Sequence, residues 1–71
     1  MPHTAARLLE VIAPELSDRE YRPLKQVYLA HVLGTVQQQI SRSLNILVAR
    51  GIIERGENAG PSGTYRIVVH Q

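Results

Sequence analysis

Seventy-one residues allow one domain and exclude a second core, since a chain this short buries only about 60% of its unfolded surface. Hydrophobic residues at 44% and charged residues at 20% exclude a disordered tail, and the absence of cysteine excludes disulfides, thiolate zinc sites and cysteine nucleophiles. The net charge of +2 is unevenly spread: residues 1–21 carry two arginines against four acids, a balance of −2, and residues 22–71 carry six cations against two acids, a balance of +4, so a polyanion site is sought in the second part.

The apolar stretches, such as Ile46 to Ala49 and Ile67 to Val69, fall far short of the roughly 20 residues of a membrane span. No basic-then-apolar leader opens the sequence, so a cytoplasmic location without membrane contact is expected. The first apolar pattern, Ala5, Leu8, Leu9 and Ile12, has helical spacing, with Thr4 available as N-cap and Pro14 closing the run. Ser17-Asp18-Arg19-Glu20 has the form of a capping box. Either a further helical turn starts there, or Tyr21 to Leu24 is a short extended edge segment, because Pro23 biases Arg22 away from helix.

From Leu24 to Leu33 the chain contains no breaker and reads as a second helix stopped at Gly34, whose left-handed conformation would cost another residue about 1 to 2 kcal/mol. Thr35 and Gln38 can form a reciprocal cap directly beyond it. The third helix runs from Val36 to Arg50, with Ile40, Leu44, Leu47 and Val48 on one face. Gln38, Arg42, Asn45 and Ala49 lie on the other, and Gln37 and Ser41 on its flank. Gly51 is the stop signal, Ile52 to Arg55 a short strand, Gly56 to Gly63 a glycine-rich turn and Thr64 to Val69 the return strand.

Two helices joined at a glycine and followed by a hairpin resemble the winged helix-turn-helix. The residues carrying the resemblance are Ala30 where the helices touch, Gly34 at the turn and Ile40 where the second helix packs back, with Leu29, Leu33 and Leu44 in the accompanying apolar positions. Ile40 through Arg55 is similar to the recognition helix and first wing strand of bacterial regulators of the MarR and Crp type and of RepL-like plasmid replication proteins, and Gly60 to Val69 to the wing. The resemblance implies an α+β fold over residues 1–71, a three-helix core followed by a C-terminal β-hairpin wing. Its departures are Tyr28, Thr35 and Lys25 at positions where other residue types are usual, and a wing tip, Glu57 to Ser62, that holds no cation.

The function implied is sequence-specific binding of double-stranded DNA. The third helix would enter the major groove, and the protein would act as a repressor or as a plasmid or phage control factor. Arg42, mid-face, can bond a guanine edge or a phosphate, and Gln37 and Gln38 can read adenine. Thr35, Ser41 and Asn45 extend that face, while Arg55 and Arg66 at the base of the wing are the phosphate contacts. A homodimer is expected, because one helix reads only a few base pairs; Leu8, Val11 and Ile12, joined by Val68 and Val69, are its candidate surface. The alternative is a winged-helix module that binds protein within a larger assembly. The bare wing tip favours that alternative, whereas the polar face of the third helix and the expected lack of a wide exposed apolar patch favour DNA. His3, His31 and His70 are too scattered for a metal site, and no serine sits in a nucleophile elbow. Neither an enzyme, a cofactor nor a small-molecule ligand is expected.

Overall fold

The computed structural model describes residues 3–57 and 63–68. The tip of the glycine-rich turn, with Gly60 and Ser62, and Val69 and His70 lie outside them. The order is α1 (His3–Ile12), a 3-10 turn (Ala13–Glu15), β1 (Arg22–Pro23), α2 (Gln26–Leu33), α3 (Gln37–Ala49), β2 (Ile53–Arg55) and β3 (Thr64–Ile67). The fold is α+β, three helices with a small antiparallel sheet in the strand order β1-β3-β2. None of the described helices is long and apolar enough to cross a membrane.

The helical spacing of Ala5, Leu8 and Ile12 places all three in the core with no exposed surface, because α1 packs chiefly against α3. This overturns Leu8 and Ile12 as dimer contacts; Val11 and Val68 are half-buried. Thr4 lies inside the helix and is not its cap. Pro14 does not end the run sharply either. The chain tightens into a 3-10 turn, where a proline near the start removes no needed hydrogen bond.

The Ser17 hydroxyl accepts the amides of Arg19 and Glu20 at 3.0 and 3.3 Å, but no helix follows. Arg22 and Pro23 pair with Tyr65 and Thr64 of β3 instead, and the extended reading is the one observed. Pro23 is tolerated because β1 is an edge strand.

Both glycine turns close in the same way. Gly34 has φ 65°, its amide bonds the His31 carbonyl at 3.2 Å and the Thr35 amide bonds Ala30 at 2.9 Å. Gly51 has φ 71°, its amide bonds Val48 at 3.0 Å and the Ile52 amide bonds Leu47 at 3.0 Å. These are Schellman closures, which satisfy the orphan carbonyls at a helix end. The expected cap of Thr35 with Gln38 is absent: Val36 is the N-cap of α3 and no side chain caps it. The Thr35 amide already belongs to the closure of α2.

Leu29, Ala30 and Leu33 of α2 meet Ile40, Leu44 and Leu47 of α3 in the core, which Leu24, Ile53 and Tyr65 complete. The expected packing residues Ala30, Ile40, Leu29, Leu33 and Leu44 are all buried. The outer arc of α2 departs from expectation. Val27, Tyr28 and Val32 are exposed there, with Val36 just beyond the turn, so the chain does carry an exposed apolar patch.

Candidate nucleic-acid interface

The buried stripe of α3 fixes what its other side presents. With Ile40, Leu44 and Leu47 turned inward, Gln38, Arg42, Asn45 and Ala49 fall on one exposed stripe, at successive spacings of four, three and four residues. Gln37 is exposed and Ser41 half-buried at its flank. Thr35 precedes the helix and is half-buried. Gln38, released from the capping role, stands at the start of the stripe. Arg42 is exposed and has no partner among the described residues.

Arg55 joins this stripe from a second element. Across the sheet Arg55 lies opposite Tyr65, Glu54 opposite Arg66 and Ile53 opposite Ile67. Alternation along a strand therefore puts Ile53, Arg55, Tyr65 and Ile67 on the face toward the core, and Glu54 and Arg66 on the other. Arg55 lies over the Tyr65 ring, 5.7 Å from its centroid, and its guanidinium donates a hydrogen bond to Asn45 Oδ1 of α3. Asn45 thus holds Arg55 against the helix. The pair aims a charged donor into the angle between α3 and β2, a role sequence reasoning missed because residues ten apart give no periodic signal.

Arg66 is not brought to this site. It belongs to a network on the outer face of the sheet. One guanidinium nitrogen donates to the Asp18 carbonyl at 2.9 Å and another to Glu54 Oε2 at 2.6 Å, and the group lies 5.7 Å from the centroid of the Tyr21 ring. The Tyr21 hydroxyl donates to Glu54 Oε1 at 2.8 Å. The Tyr21 hydroxyl and then the Arg66 guanidinium hold the Glu54 carboxyl below the usual carboxylate range, and the Tyr21 hydroxyl and then the Glu54 carboxylate raise the pKa of Arg66. Arg66 is engaged with its own chain on the face of the sheet opposite Arg55, so the structure does not bring the two expected phosphate contacts together.

Charge reinforces the geometry. No acid occurs between Glu20 and Glu54, and that span, which holds α2 and α3, carries Arg22, Lys25, Arg42 and Arg50. Arg50 is exposed at the end of α3, in line with its favourable place near a helix C-terminus. The arrangement offers forked donors and amide side chains with no carboxylate beside them on the helix, which suits a polyanion. The described residues contain no group of three His, Asp or Glu placed to hold a metal ion. The chain matches no known family profile, no curated protein and no solved structure.

Proposed function

We propose that this chain is a winged helix-turn-helix protein that binds double-stranded DNA, laying the exposed stripe of α3 in the major groove. In this reading α2, the Gly34 turn and α3 form the helix-turn-helix, and β2 and β3 are the stem of the wing. The observation that carries it is the stripe Gln38, Arg42 and Asn45, joined by Arg55 from the neighbouring strand. Amide side chains and arginine are the groups that pair bidentately with adenine and guanine edges. Arg42 reads or orients the site, Arg55 is aimed by Asn45, and Arg50 supplies positive charge near the phosphates. The biological role that follows is occupancy of a site, as a repressor or a plasmid or phage control factor.

Fluorescence anisotropy with labelled random duplex at low salt tests the reading. Arg42→Glu is expected to abolish binding, while Arg7→Glu, which reverses an exposed charge on α1, retains it. Equal behaviour of the two variants would contradict the assignment of α3. One observation favours a second reading: the exposed apolar arc of α2 suits a module that binds protein within a larger assembly. A chain that ignores duplex at every salt concentration would decide for that reading.

A further inference from the structure

The helix α2 carries apolar residues on both its inner and its outer side, with His31 exposed between Val27 and Tyr28 on the outer one. Leu29, Ala30 and Leu33 are buried on one arc, while on the opposite arc Val27 is 68% exposed, Tyr28 58% and Val32 45%. Only Gln26 and His31 are polar in this helix. Large apolar side chains left exposed together on one small body mark an association surface. Beside the exposed arc lies a half-open cleft of about 350 Å³, lined by Glu15, Pro23, Leu24, Lys25, Tyr28 and Leu29. Its two charges have opposite sign, both are exposed, and neither is paired with any described residue. A projecting aromatic therefore stands next to a recess, and an unpaired cation and an unpaired anion both line that recess.

An isologous contact requires a surface that complements itself. We propose that a second copy of this chain covers α2, with the twofold axis passing beside the cleft. Tyr28 of each copy fills the cleft of the other, and Lys25 of each meets Glu15 of the other. A partner of different sequence would need to match only one knob and one recess. Here one patch carries both members of both pairs, and this doubled complementarity selects a second copy. The contact belongs to the small class, below about 1,200 Å² in total, on a monomer whose surface is 4786 Å², so association depends on concentration.

Sedimentation of the full chain without DNA, over a range of about 10 to 500 µM suited to small interfaces, should show a monomer–dimer equilibrium. Tyr28→Glu and Val32→Glu change exposed positions and leave the core intact, which an unchanged helical circular dichroism spectrum verifies. Each should raise the dissociation constant about tenfold or more. Glu15→Lys and Lys25→Glu alone should each weaken the dimer about threefold, since either places like charges opposite one another twice. The double reversal should restore wild-type affinity to within about twofold. A chain that stays monomeric throughout, a dimer indifferent to Tyr28→Glu, or a double reversal no better than its singles overturns the proposal.

Discussion

A β-carbon added to Gly56 would lie 2.4 Å from Cδ1 of Tyr21, 2.6 Å from its Cγ and 2.7 Å from Oγ1 of Thr64. Gly56 is required there for close approach, because it lets the Tyr21 ring lie across the outer face of the sheet toward Glu54 and Arg66. Gly56→Ala should displace the ring and cost about 1 to 2 kcal/mol, lowering Tm by roughly 4–8 °C per kcal/mol in a domain of this size. In a Tyr21→Ala background the same substitution should cost less, with only the contact to Thr64 Oγ1 left to relieve, a non-additivity that thermal melts measure directly. The second residue-scale device is the Asn45–Arg55 bond. Under the DNA-binding reading, Asn45→Ala should weaken duplex binding in the wild-type background and have little effect on top of Arg55→Ala. Additive losses in that cycle would show that Asn45 acts independently of Arg55.

At the scale of elements, the two glycine turns decide where helices stop. Nothing lies within 4 Å of a β-carbon at Gly34, so its constraint is backbone conformation alone. Gly34→Val should therefore cost about 1 to 2 kcal/mol, and Gly34→Asn less, since asparagine tolerates the left-handed region; equal melting temperatures for wild type and Gly34→Val would remove the turn from the account. These turns, the buried faces of all three helices and the hairpin stem were legible in the sequence, because helical spacing and glycine punctuation are local signals. The exposed stripe of α3 was legible for the same reason. The cap at Thr35 was not, because its amide was already committed to the preceding helix. Nor was the role of Arg66, whose partner Glu54 is set by the register of β2 on β3 and whose contact with Asp18 accompanies the pairing of β1 with β3. The apolar outer arc of α2 was in plain view as composition, but which of its residues the core would leave exposed depended on how α2 meets α3.

On the scale of the whole molecule, the network of Tyr21, Glu54, Arg66 and the Asp18 carbonyl ties the segment after α1 to the hairpin, aided by the Ile67 amide, which bonds the Ser17 carbonyl at 3.0 Å. Glu54 has a folded-state pKa below its unfolded value, so its contribution is present above the usual carboxylate range and is lost as pH falls through the folded value. Thermal melts across that acidic window should show Glu54→Gln less stable than wild type near neutrality, with the difference closing on acidification. A gap independent of pH would mean the ionised carboxylate is not what the network uses. The molecule spans 33 × 27 × 20 Å, about one turn of duplex, roughly 34 Å. Under the DNA-binding reading one copy covers about one turn, with the α3 stripe as the reading surface. That claim is tested most directly by the salt dependence of binding to duplex DNA. Contacts to phosphate from Arg42, Arg50 and Arg55 predict that log K falls linearly with log salt, with a slope of about −2 to −3, and that Arg42→Ala flattens it by about one unit. Affinity that does not change with salt, or the wild-type slope retained by Arg42→Ala, would contradict it.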